Sequence, residues 1–254
     1  MSRQRQRGKG AWIWGRRVVT ETLEAGRWPI LELLLADRRD DRLSSAHKLA
    51  EELGVPVSVV ADELLEERCS SDLHHGFAAR VGDYPYAEAE TVLAKARASP
   101  LYVLLDGIQD PYNFGAIVRS AEVLGVDGVF ISGARQAPVT GHVARASAGA
   151  VNHVNIVRVD NLVEMVMGLR RSGVRVLAAD RESFEPPWAC RLAGAVALVV
   201  GNEGHGVGAD VIDVCDGQVG IPQRGSVESL NAAVAVGILL YEADRQRREV
   251  ADDG

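Results

Sequence analysis

From Leu101 onward the chain repeats one pattern: an uninterrupted apolar run, a glycine- or proline-marked turn, then a stretch with helical spacing. The runs are LYVLLD, GVFIS, HVNIVRV, VRVLAA, AVALVV and GQVGI. The helical stretches between and after them are Phe114–Leu124, Gly141–Ala150, Leu162–Arg171, Ala209–Val214 and Leu230 to about Arg248. Strands exposed on one face alternate apolar and polar residues, whereas strands covered on both faces are apolar throughout. The pattern therefore predicts an α/β domain built on a mostly parallel sheet. In such a sheet, ligands bind beyond the carboxyl ends of the strands.

Upstream, the helical stretch Arg17–Ala25, the strand Ile30–Ala36, a helix Ser44–Leu53 closed by Gly54, a strand Val55–Val60, a helix Asp62–Arg68 and a strand Phe77–Val81 read as a small αβ domain. The expected boundaries are a basic arm at 1–10, a small domain at 11–83, a proline-bounded, Ala- and Glu-rich linker at 84–98 and the large domain at 99–250. Met1 to Thr20 carries six basic residues and no acid, the pattern of a solvated tail or of a nucleic-acid contact. Yet the whole chain is acidic at −7 and only 5% aromatic, which excludes wholesale coating of nucleic acid and binding built mainly on stacked bases. Cys69, Cys190 and Cys215 are too few and too scattered for a disulfide framework or a four-cysteine zinc site, so a reducing cytoplasm is expected. Neither a secretory signal nor an apolar run long enough to span a bilayer is read in the sequence.

Three strand ends carry unusual turns. In DGIQDPYNFGAIVR, Asp106–Arg119, Pro111 breaks the preceding backbone and Asn113 reads either as the cap of the following helix or as a site residue. Arg119 lies one and two-thirds turns further on, either a surface arginine or a side chain reaching back to the helix start. In VVGNEGHGVG, Val199–Gly208, glycines strip side chains from around Glu203 and open the backbone to a flat ligand. In IPQRGSVESLNAAVAVGILLYE, Ser229 reads as a cap or a site residue, and Asn231 is an odd choice inside a helix. That helix is nearly uncharged from Leu230 to Tyr241, so a sheet on one side and a partner subunit on another are expected. No phosphate loop, zinc-protease motif or nucleophile elbow occurs, and His74, His75 and His205 lack partners at ligand spacing, so no metal is expected. GHGVGA matches a loose dinucleotide fingerprint, a poor match because the βαβ unit it needs does not follow.

Together, and in this order, the three turns resemble the signature motifs of the SpoU (TrmH) family of RNA ribose 2′-O-methyltransferases, over Leu101 to Arg247. The segments GRRVVTETLEAGRWPILELLLA and HHGFAA resemble the small L30e-like substrate-binding domain of many members. The resemblance implies a trefoil-knotted, SPOUT-type catalytic domain that works as a homodimer through its last helix. It implies S-adenosylmethionine as methyl donor, held by backbone at Gly201, Ile221 and Leu230, with no metal. It implies a polar catalytic set of Asn113, Arg119, Glu203, Ser229 and Asn231, with no role given to His205, Gln223 or Arg224. It points to a guanosine ribose of large-subunit (23S) ribosomal RNA as substrate. Transfer RNA, a resistance-conferring ribosomal methylation, or a non-catalytic RNA-binding or ribosome-assembly factor on the same fold are the alternatives. A local basic surface of the N-terminal arm with Arg119, Arg135 and Arg145 is expected to reconcile the acidic total with an RNA substrate.

Overall fold

The structure, a computed structural model, describes residues 10–133, 135–202, 204–226 and 229–252. The basic arm, Glu203, Val227 and Glu228 lie outside the described residues. The chain divides into two compact units: one runs through Pro85 and includes Val139–His153, the other comprises Tyr86–Pro138 and Val154–Gly254.

In the first unit, β1 (Ala11–Trp14), α1 (Arg16–Ala25), β2 (Ile30–Ala36), α2 (Asp41–Glu52), β3 (Val57–Val60), α3 (Asp62–Cys69) and β4 (Phe77–Val81) build a four-stranded sheet in the order β1-β4-β2-β3. Beyond the expected strands, β1 joins the edge antiparallel to β4, Ala11 opposite Val81 and Trp14 opposite Ala78. β2 pairs antiparallel with β4 and parallel with β3, so the small sheet is mixed.

The second unit contains α4 (Ala89–Ala94), the helical turn within the expected linker, followed by β5 (Leu101–Asp106), α5 (Pro111–Val123) and β6 (Gly128–Ser132). Next in the chain is α6 (Gly141–Ala146), shorter than the expected helix and followed by a 3₁₀ turn at Ala150–Asn152. Segment Val139–His153 is in the large domain by sequence and in the first unit by packing. A Cβ on Gly141 would lie 2.0 Å from the Trp12 carbonyl oxygen, so the helix start presses on the β1 backbone. Asn152 Nδ2 donates to the buried Thr22 hydroxyl at 2.9 Å.

The second unit continues with β7 (Ile156–Val159), α7 (Leu162–Arg171), β8 (Arg175–Ala179), β9 (Val196–Gly201), α8 (Ala209–Ile212), β10 (Gly217–Val219) and α9 (Ala232–Asp252). Its six strands run in the order β10-β8-β9-β5-β6-β7, and every neighbouring pair is parallel. Leu101 to Leu105 and all of β9 are buried, as sheet covered on both faces requires. The chain builds β5-β6-β7 in one direction, then returns to lay β8 beyond the place where β9 will insert beside β5. That reversal puts the ends of β5 and β9 side by side, with Asp106 in register with Gly201.

Candidate functional site

Each of the three turns is fixed by its own backbone chemistry. After β5, Gly107 takes φ +76°, a left-handed conformation, and Ile108 N donates to Gln136 Oε1 at 2.9 Å. Asp110, not Asn113, caps α5: its carboxylate accepts from Tyr112 N at 3.0 Å and Asn113 N at 3.4 Å. Pro111 at the first helical position explains the choice, since its ring is preset for helix and needs no hydrogen-bond acceptor. The capping reading of Asn113 is thereby corrected.

After β9, the chain folds back on Gly201 so tightly that a Cβ there would sit 1.8 Å from the Gly206 carbonyl oxygen. Asn202 organises the turn: its Oδ1 accepts from Gly204 N and His205 N, both at 2.9 Å, and its carbonyl accepts from Gly206 N at 2.9 Å. Gly206 occupies the left-handed region at φ +68°. The far end is tied to β5, because Gly208 N donates to Asp106 Oδ2 at 2.8 Å.

After β10, the chain passes Gly220 and Ile221 toward α9. Asn231 is the cap of that helix, its Oδ1 accepting from Ala233 N at 2.9 Å and Val234 N at 3.2 Å. Ser229 is therefore not the cap, and Asn231 is not a misfit inside a helix but its first anchor. With Oδ1 committed to two backbone donors, Nδ2 is left to donate to Asn113 Oδ1 at 2.8 Å. One side-chain bond thus joins the first turn to the third.

Beyond the carboxyl ends of β8, β9 and β10 lies a cavity of about 290 Å³. Gly201, Ile221, Leu230 and Ser229 all line it, together with the apolar Ile212, Val219 and Leu239 and the polar Asp180, Glu182, Asn202, His205 and Gln223. His205 and Gln223, given no role from sequence, are wall residues. Arg119 is exposed on α5, is not in the wall, and has no hydrogen-bond or ion-pair partner among the described residues. Asp106 and Asn202 escaped the sequence reading, although the first ends a strand and the second opens a glycine turn. Burial pushes the thiols of Cys69, Cys190 and Cys215 up to about 11, so none offers a thiolate nucleophile at neutral pH. Among the described residues no group of three or more His, Cys, Asp or Glu is arranged to hold a metal ion, and no helix is long and apolar enough to cross a membrane.

Residues 100–241 match the SpoU rRNA Methylase family, and residues 12–87 match the RNA 2′-O ribose methyltransferase substrate binding family. The chain is 34% identical to the 23S rRNA (guanosine-2′-O-)-methyltransferase RlmB of Vibrio vulnificus over 239 residues, which cover 92% of this chain and 96% of that protein. It is 38% identical to an uncharacterized tRNA/rRNA methyltransferase of Mycobacterium leprae, over 93% of this chain and 77% of the other. Among solved structures, the SpoU methyltransferase AviRb from Streptomyces viridochromogenes, in complex with the cofactor AdoMet, superposes with a TM-score of 0.81 at 28% identity. That likeness covers 98% of this chain and 95% of the other.

Proposed function

This chain belongs to the SpoU rRNA Methylase family and is an RNA methyltransferase, and we propose that it methylates the ribose 2′-hydroxyl of a guanosine in large-subunit (23S) ribosomal RNA, with S-adenosylmethionine as donor. The observation that carries this reading is the convergence of Gly201, Ile221 and Leu230 on one cavity, beside an Asn113–Asn231 bond that couples the first and third turns.

The cavity fits the donor on three counts. Its wall includes the glycines Gly201, Gly204 and Gly206, which bring backbone close to a ligand, and Gly201 has no room for a Cβ, which would sit 1.8 Å from the Gly206 carbonyl oxygen. Its apolar side chains suit a flat heterocycle, and its Asp180 and Glu182 carboxylates suit a ligand bearing positive charge. Gly201, Ile221 and Leu230 would hold the donor. When bound, it supplies an electrophilic methyl group on a positively charged sulfur.

The protein's own task is then to orient a ribose hydroxyl and to stabilise the charge that develops on its oxygen as the proton leaves. Holding two reactants in line supplies about 7–11 kcal/mol of such a barrier. Arg119 is suited to charge stabilisation and not to proton abstraction, because a guanidinium is permanently charged and a poor base. In this reading Arg119 contacts phosphate and the developing alkoxide, while water or a phosphate oxygen takes the proton. Asn113 and Ser229 orient the ribose, and Asn231 holds Asn113 in place through their side-chain hydrogen bond. Glu203 shares that role by resemblance only, as it lies outside the described residues.

The working unit is a homodimer. Val234, Ile238 and Tyr241 are exposed along α9, 39% to 64%, a stripe suited to the same helix of a second copy. The insertion of β9 between β5 and β8 is compatible with the threaded C-terminal segment that the family resemblance implies. The test is methyl transfer from labelled S-adenosylmethionine to ribosomal RNA and, separately, to transfer RNA from a strain lacking this gene, followed by mapping of 2′-O-methyl sites. One new methylated guanosine in the large-subunit RNA supports the reading. A product on transfer RNA alone, or none at all, refutes it.

A further inference from the structure

We infer that Phe184 is a stacking platform for an unpaired base of the substrate RNA, next to the ribose that enters the cavity. The inference rests on the RNA reading above.

Phe184 is fully exposed, at 101% of its reference surface, and Trp188 four residues on is 65% exposed. A lone exposed apolar side chain is ordinary on a protein surface, but two aromatics four residues apart, on a fixed segment that continues from the cavity wall, offer flat apolar faces to a ligand. The segment is fixed. Upstream of Phe184, Glu182 N donates to Asp180 Oδ1 at 2.9 Å and Ser183 N to the Asp180 carbonyl at 3.2 Å. Immediately downstream, the Glu185 carbonyl accepts from Gly220 N at 2.9 Å. Gly220 itself lies between Val219 and Ile221, both in the cavity wall, and has no room for a Cβ because of the Ser183 carbonyl. Further on, Gln246 of α9 holds the loop by donating to the Pro187 and Cys190 carbonyls, at 3.3 and 3.1 Å, and accepting from Leu192 N at 2.8 Å. The ring therefore stands on a segment that leaves the cavity wall at Glu182 and is hydrogen-bonded back to the strand end between Val219 and Ile221.

The neighbouring charges say which part of RNA it meets. Glu182, paired with Arg181 at 3.9 Å, belongs to the cavity wall, and the exposed Glu185 beside Phe184 repels phosphates but leaves carboxylate oxygens to accept N–H donors on a base edge. A base face on the ring suits this chemistry, and a phosphate contact does not. RNA recognition commonly splays out unpaired bases and stacks them on aromatic side chains. A single platform of this kind is also compatible with a chain only 5% aromatic.

The test measures affinity for ribosomal RNA from a strain lacking the gene, over a salt series, for wild type, Phe184→Ala and Phe184→Trp. Phe184→Ala is expected to weaken binding about ten-fold, within the range measured for loss of one base–aromatic stack. Phe184→Trp is expected to restore it. The log–log salt slope, S-adenosylmethionine affinity and oligomeric state stay as in wild type, because no phosphate, donor or subunit contact is removed. Unchanged affinity in Phe184→Ala overturns the inference, as does a salt slope reduced by about one unit, the sign of a lost phosphate contact. A shift from dimer to monomer overturns it too, showing that a second copy covers the ring. If wild type binds this RNA but transfers no methyl group, the functional reading fails, and the binding comparison still decides the stacking.

Discussion

Arg119 stands exposed on α5, outside the cavity wall. A lysine keeps the charge but loses the planar fork that addresses a phosphate and an alkoxide together. Arg119→Lys is expected to bind S-adenosylmethionine as wild type does while methyl transfer falls about 100- to 1000-fold, the scale of losing one preorganised oxyanion donor. Single-turnover rates beside a donor titration measure this, and near-wild-type turnover removes Arg119 from the chemistry. At the same scale, the asparagines show what sequence could and could not say. That Asn113 and Asn231 were unusual was visible from their types and places. That Asn231 caps α9 and spends its remaining amide on Asn113 depends on a contact across 118 residues, which no local pattern contains. The cap of α5 was legible in principle, because Pro111 at the first helical position points to Asp110 one residue earlier.

Among elements, the glycine turn after β9 is held from outside by one carboxylate. Asp106 Oδ2 accepts the Gly208 N–H, tying the turn to the neighbouring strand end. Asp106→Ala removes a charged acceptor worth about 1.5–3 kcal/mol to such a bond. Hydrogen exchange is expected to show faster opening at Gly208 and its neighbours, with β5 and β9 still protected. Unchanged exchange there means that the turn is held by Asn202 and Gly206 alone. The strands of the large sheet were legible because full burial on both faces forces apolar runs, and β5, β6 and β9 follow those runs closely. β1 was not. Its four residues, AWIW, follow a basic arm, and their pairing with β4 lies 64 to 70 positions away. The packing of Val139–His153 in the first unit was equally invisible, since it depends on Gly141 meeting the Trp12 backbone.

For the whole molecule, the proposed dimer rests on the two faces of α9. Val236, Leu239, Leu240 and Ala243 are buried in the chain's own core, while Val234, Ile238 and Tyr241 remain exposed. Ile238→Glu places a charge in that second face without touching the first. Sedimentation is expected to show a wild-type dimer and a folded Ile238→Glu monomer, and a wild-type monomer at micromolar concentration contradicts the proposed dimer. Every catalytic proposal above depends on the second and third turns, after β9 and β10, forming one donor site, with the first turn joined to them through the Asn113–Asn231 bond. Calorimetric titration of S-adenosylmethionine into wild type and Gly201→Ala tests this most directly, because a Cβ at that position collides with the Gly206 backbone and displaces the turn. One donor per chain in wild type and an affinity at least about ten-fold weaker in a still-folded Gly201→Ala, a change of about 1.4 kcal/mol, is the expected result. Equal affinity in the two proteins, or no binding to wild type, contradicts it.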